Sequence, residues 1–228
     1  MNFRILILLL VIFQLSACVE TGTKNEQFPL MYSAEKPVSI VIVPAINQTT
    51  AADAGDLLYA TVTQPFANHG YYVLPVPVVA DIFRREGILE GTQVKGIPTA
   101  LFKQNFGADA VLFMTITEWD KNYAVIAASV VVGIEYVLLS TTTNEVLWSY
   151  TQRLEMDTSG SSGNLIVDLI ATAITTAVTD YVPIALQVHN TATAAALPLG
   201  KYHPRSGLDG DEKTVIVQAK ESALDIEE

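Results

Sequence analysis

The chain has 228 residues, half of them hydrophobic and only 16% charged, with a formal net charge of −11. That is apolar material for one generous domain, and the low charge density excludes an intrinsically disordered chain. The acidic balance excludes both a non-specific nucleic-acid binder, which would present a basic stripe to phosphates, and a polybasic grip on anionic lipid.

Met1-Asn2-Phe3-Arg4 carries one positive charge, Ile5 to Phe13 follows without a polar residue, and Leu15-Ser16-Ala17-Cys18 closes the segment. A charged start, a short apolar run and small residues before a cleavage point are the parts of a secretory signal. The run falls far short of the ~20 residues that a spanning helix needs. Cys18 is the only cysteine, so no disulfide or cysteine-based metal site is expected. The segment resembles the leader of bacterial lipoproteins, whose box is Leu, a small residue, Ala or Gly, and Cys. That resemblance implies a signal peptide over 1–17, peptidase recognition of Leu15, Ser16, Ala17 and Cys18, and acylation of the Cys18 thiol. Two acyl anchors hold a soluble domain stably to a bilayer. Val19 stands where inner-membrane retention usually needs Asp, so the resemblance further implies an outer-membrane, periplasm-facing protein.

Residues 18–36 are polar and aperiodic and read as a lipidated tether. Val38 to Pro44 is a β-branched run that predicts a buried strand. From Thr50 to Asn68 the pattern turns helical, with Thr50 and Asp53 suited to its start and Leu58, Val62 and Phe66 on one face; Pro65 predicts a kink. Asn47-Gln48-Thr49 reads as the strand-to-helix loop. Tyr71 to Val76 predicts a second strand, Pro77 to Arg85 a helix, and Ile97 to Phe106 another, before a strand over 108–119. Alternating strands and helices predict β-α-β units packed on a sheet.

Asn122 to Ser140 is almost continuously apolar, but Gly133, Glu135 and a β-branched bias favour strands over a spanning helix. With Glu145 to Leu154 it forms a predicted hairpin, and the consecutive Val130, Val131 and Val132 favour burial on both faces. A helix is predicted over Leu165–Tyr181, ended by Pro183. The expected organisation is signal peptide 1–17, tether 18–36, an α/β domain over 37–189, and an acidic, mostly irregular tail over 190–228.

Chemistry is sparse. His69, His189 and His203 are placed at a helix end, in a late loop and in the tail, with no neighbour at metal-ligand spacing, and read as surface residues. Asp53 and Asp56 complement a helix dipole. Arg84, Arg85 and Glu86 read as a solvated patch. Ser159 to Gly163 lacks the glycine spacing of a nucleophile elbow, and no phosphate loop or dinucleotide fingerprint occurs, so neither catalysis nor a cofactor is expected. Trp119, Tyr123, Tyr136, Trp148 and Tyr150 read as packing residues, with a partner surface as the second reading.

The order strand, helix, Gly70-Tyr71-Tyr72-Val73, helix, Phe106-Gly107-Ala108-Asp109-Ala110-Val111-Leu112, and a hairpin ending in Asn144-Glu145-Val146-Leu147-Trp148 resembles a group of periplasmic domains. The group includes the amino-terminal domain of TolB, the curli-export lipoprotein and the lipoprotein activator of penicillin-binding proteins. Over residues 37–185 the chain is most similar to a family of bacterial lipoproteins with no assigned activity. Thr143 and Asn144 depart from the Asp and Gly usual in that hairpin turn. The resemblance implies an α/β domain with a mixed sheet and helices packed on it. It also implies a binding or assembly module rather than an enzyme, with envelope proteins as partners, among them a neighbouring curli-export-like lipoprotein, and a homo-oligomer as a further expectation. The alternative is a pore or secretion-channel subunit that inserts the 122–152 hairpin.

Overall fold

The computed structural model describes residues 21–34, 36–123, 128–157 and 181–215. It opens with β1 (Thr21–Thr23), α1 (Lys24–Gln27) and a 3-10 turn at Pro29–Tyr32. The sheet begins with β2 (Ser39–Ile42) and β3 (Ile46–Asn47); α2 (Ala54–Thr61) and α3 (Thr63–Asn68) lead to β4 (Tyr72–Val73). Then come α4 (Val76–Arg85), a 3-10 turn at Gly91–Gln93, α5 (Thr99–Phe106), and the long strands β5 (Ala110–Tyr123), β6 (Ala128–Ser140) and β7 (Val146–Asp157). The described residues close with α6 (Val182–Ala196) and β8 (Lys213–Val215).

The main sheet runs β4-β2-β5-β6-β7, with β3 also on β5. β2 is parallel to both β4 and β5, and β5-β6-β7 is antiparallel. This is the mixed sheet with packed helices that the sequence predicts. β2 shows why its β-branched run carries no polar partner residues. Ile40 and Ile42 enter one core with Leu58 and Phe66, whereas Val41 and Val43 enter the other with Val79, Phe83 and Phe102. The connection from β2 to β4 through α2 and α3 thus covers one face, and the connection from β4 to β5 through α4 and α5 covers the opposite face.

Boundaries moved where proline intervened. β4 is shorter than the predicted 71–76 strand because Pro75, which has no N–H to give a ladder, is already the residue before α4. The predicted helix over 50–68 starts only after Asp53 and breaks at Val62, so that Pro65 falls in the first turn of α3, where its missing N–H costs nothing. Gly107 ends α5 in the left-handed conformation, φ 68°. Asn144 takes the positive φ of the hairpin turn, 62°. Gly133 lies mid-strand opposite the irregularity between Ile116 and Glu118; a Cβ there would stand 2.7 Å from Thr117 Oγ1.

The apolar 128–140 segment is core. Val132, Ile134, Tyr136 and Leu138 pack with Ile184, Ala185, Val188 and Ala192 of α6, and Trp119 and Trp148 are buried beside them. No helix among the described residues is long and apolar enough to cross a membrane.

At the chain ends the described residues depart from the expected boundaries. Within the stretch read as tether, Thr21–Thr23, Lys24–Gln27 and Pro29–Tyr32 form β1, α1 and a 3-10 turn. The boundary at 189/190 falls inside α6. Pro183 stands in the first turn of α6, where a missing N–H is tolerated. The segment 197–212 is irregular, yet it is packed: Leu197 and Asp209 are fully buried. The helix predicted over 165–181 lies outside the described residues except for Tyr181.

Candidate functional site at the strand ends

Because the connection from β2 to β4 and the connection from β4 to β5 cover opposite faces, the sheet has a switch point beyond the carboxyl end of β2, the place where open α/β sheets form a crevice. A crevice of about 480 Å³ lies there, with Asn47, Thr49, Asp56, Tyr59, Arg84 and Glu90 in its lining. The loop after β2 is built by its own side chains: Asn47 Nδ2 donates to the Ala51 carbonyl at 2.7 Å, and Asn47 Oδ1 accepts from Thr49 N at 2.9 Å. Tyr59 donates to the Ile42 carbonyl at 2.6 Å; burial pushes its hydroxyl pKa up, and the Arg84 charge opposes this only in part.

Gly91, next to the lining residue Glu90, packs against the loop after β2. Its N–H donates to Ala45 O at 3.2 Å, and a Cβ on it would lie 2.5 Å from Pro44 O, Ala45 C and Ile46 N. Only glycine lets the two backbones approach so closely. Glu90 is engaged in a capping box with Gln93, and Arg85 pairs with Asp81 at 2.7 Å. Among the described residues, exposed Asp56 and Arg84 make no ion pair. They give the rim one uncommitted carboxylate and one uncommitted guanidinium. Asp56 keeps the expected place in the first turn of α2, and Arg84, Arg85 and Glu86 are exposed as expected.

A second cavity, about 390 Å³, lies on the face of β5 and β6 beside the start of α5. It is lined mainly by Ile46, Ile97, Pro98, Phe113, Val137 and Leu139, with Lys95 beside them.

The histidines divide. His69 is half-buried, with Nδ1 3.2 Å from Pro65 O, and burial lowers its pKa. His203 Nδ1 accepts from Arg205 N at 3.1 Å. His189 corrects the surface reading. It sits on the inner face of α6, fully buried, with Nδ1 2.9 Å from the Tyr136 hydroxyl, and burial lowers its pKa to about 3. The sequence signal for this was present in the apolar residues Ile184, Ala185, Val188 and Ala192 around it at helical spacing. Among the described residues no group of His, Cys, Asp or Glu is arranged to hold a metal. Trp119, Tyr136 and Trp148 are packing residues, and Tyr150 stacks on Trp148 at 6.2 Å. The side chain of Tyr123 and the box Leu15, Ser16, Ala17, Cys18 lie outside the described residues.

Asp109, of the Gly107-Ala108-Asp109 sequence, organises the opposite end of the sheet. Its carboxylate accepts from Val38 N, Ser39 N and Ser39 Oγ at 3.1, 3.0 and 2.9 Å, and from Lys103 Nζ at 2.6 Å. Partial burial by itself would raise its pKa. These donors outweigh that and hold the carboxyl at about 2.

Residues 30–210 match the family described as "Putative lipoprotein GNA1162-like". The chain is 25% identical over 184 residues to "Putative lipoprotein NMB1124/NMB1162" of Neisseria meningitidis serogroup B, covering 81% of this chain and 85% of that protein. It is similar to the crystal structure of lipoprotein GNA1162 from Neisseria meningitidis, with a TM-score of 0.53 and 26% identity over 62% of this chain and 98% of the other. A lower likeness, TM-score 0.43 and 16% identity over 72% and 89% of the two chains, is to the PelC dodecamer from Paraburkholderia phytofirmans. The chain belongs to the GNA1162-like family of cell-envelope lipoproteins.

Proposed function

We propose that this protein is an outer-membrane lipoprotein, anchored through acylated Cys18 and facing the periplasm, that acts as a non-catalytic binding module in envelope assembly or transport. The observation that carries the reading is the strand-end crevice, with Asp56 and Arg84 uncommitted on its rim beside backbone and amide groups already satisfied within the fold. Such a rim offers a partner one anionic and one cationic contact on a rigid floor. It supplies orientation and selectivity, the properties of a docking site. Envelope proteins are the expected partners, a neighbouring curli-export-like lipoprotein or a second copy of this chain among them. Packing of 128–140 between β5 and β7 under α6 disfavours its use as an inserted hairpin.

Photo-crosslinkers placed at Asp56 and Arg84 in intact cells test the reading. Capture of a discrete envelope partner from both positions, lost with the double charge reversal Asp56→Arg/Arg84→Glu, is the expected result. A crevice that captures nothing in acylated, membrane-bound protein overturns it. Acyl labelling and membrane fractionation of Cys18→Ser test the anchor, which fails as a reading if label and membrane association persist.

A further inference from the structure

The segment from Thr21 to Tyr32 does not stand away from the domain. β1 pairs antiparallel with β8, Thr21 opposite Val215 and Thr23 opposite Lys213. Lys24 N donates to Glu212 O at 2.9 Å and Asn25 N to Gly210 O at 3.0 Å. The Lys24 ammonium is buried against Asp209 and also reaches Glu212 at 3.1 Å. Ahead of β2, Lys36 Nζ donates to Ser206 Oγ at 3.1 Å. From Thr21 back to Cys18 there are three residue steps, so Cys18 lies within about 11 Å of the folded edge.

The surface around this edge has a distinct chemistry. The loop from Leu199 to Glu212 is fastened to the turn before β4 by Gly200 N to His69 O, 2.8 Å, and Tyr202 N to Gly70 O, 3.0 Å. Gly70 and Gly200 permit this close approach; a Cβ on Gly70 would lie 2.3 Å from His203 N. Out of this fixed loop project Tyr202, 65% exposed, and Leu208, 72% exposed. Exposed Lys201 and Lys213 flank them, the first on the same loop and the second opening β8, while exposed Arg205 of the loop pairs with Glu212 at 2.7 Å. An aromatic tip and a leucine between long cationic side chains are the residue types that settle at a headgroup boundary, the apolar parts inward and the charges among phosphates. The loop packs at the amino ends of β2 and β4. The crevice opens beyond the carboxyl end of β2.

We infer that the edge formed by β1, β8 and the 199–212 loop is a membrane-contact surface, on which Tyr202 and Leu208 rest against the lipid to which Cys18 is tethered, leaving the strand-end crevice facing away. The inference rests on acylation of Cys18, and the short leash turns that attachment into a fixed orientation.

The test uses full-length acylated protein on vesicles of phosphatidylethanolamine and phosphatidylglycerol that carry a headgroup nitroxide quencher. With the Cys18 thiol acylated, one introduced cysteine is the sole reactive thiol. A fluorophore attached through Leu208→Cys is expected to be quenched several-fold more than one attached through Leu89→Cys, an exposed position in the crevice lining. A flexible insert of about twenty Gly and Ser residues between Val19 and Glu20, with an r.m.s. span of ~25 Å, is expected to abolish that difference without touching a described contact. Equal quenching at the two positions in vesicle-bound protein overturns the orientation, as does a difference that survives the insert. Protein that carries no acyl chain and stays off the vesicles overturns the anchor reading itself.

Discussion

Lys24 and Asp209, 185 positions apart, form an ion pair with Nζ 3.3 Å from Oδ2 and side-chain exposures of 3% and 0%. Asp209 Oδ2 also accepts from Leu199 N at 2.9 Å, so one carboxylate joins the amino-terminal segment to the loop beyond α6. Removing one partner of such a pair leaves the other charge buried and uncompensated. Lys24→Met is therefore expected to cost about 3–5 kcal/mol in chemical denaturation. Lys24→Met combined with Asp209→Leu should recover part of that loss, though not all, because Leu199 N–H keeps no acceptor. A double variant as unstable as the sum of its single variants would refute the coupling.

His189 sets an acid limit on the fold. Its pKa falls from 6.5 to about 3 because burial penalises the charged ring. The unfolded chain therefore binds a proton that the native state refuses, and the stability associated with the neutral ring is present above pH 6.5 and drains away as pH falls toward 3. Within that window one group contributes a slope of about 1.4 kcal/mol per pH unit. Unfolding free energies measured between pH 7 and pH 4 are expected to lose one proton's worth of slope in His189→Phe.

Asp109 acts in a lower window. Its folded pKa of about 2 lies below the ordinary 3.8, so the stability it contributes is present above 3.8 and is lost as pH falls from there toward 2. Asp109→Ala strands the N–H groups of Val38 and Ser39 at the start of β2. Loss of these charge-assisted bonds is expected to cost on the order of 2 kcal/mol at neutral pH, read from denaturant midpoints. The same variant should flatten the pH dependence below 4 while leaving the His189 slope intact.

Gly91→Ala is expected to destabilise by roughly 1–3 kcal/mol through overpacking against the loop after β2, with accompanying loss of partner capture at the crevice. By contrast, Asp56→Asn and Arg84→Gln change exposed groups with no ion pair among the described residues. They should shift stability by no more than about 0.5 kcal/mol, while each weakens capture. Thermal melts beside crosslinking yields separate the two kinds of effect.

The sequence by itself determined the parts of this protein whose cause is local. Hydrophobic period and β-branching located β2, β5 and the hairpin read over 122–152, seen as β6 and β7; glycine and proline punctuation located α4 and α5; and the Leu15 to Cys18 box raised the lipoprotein reading. Tertiary structure decided everything that depends on residues distant in the chain. No local pattern announces that Lys24 will be buried, since the acid that compensates it is Asp209. The polar composition of 18–36 and 190–228 reads as solvation because each segment is polar alone, and only the pairing of residues 21–25 with residues 209–215 takes Lys24 and Asp209 out of water. His189 reads as a surface residue because a lone histidine is burial-neutral, although its apolar neighbours at helical spacing mark a buried face; its partner Tyr136 arrives from β6. The strand-end crevice arises because the connections from β2 to β4 and from β4 to β5 cover opposite faces of the sheet, a property of topology that period and propensity do not encode.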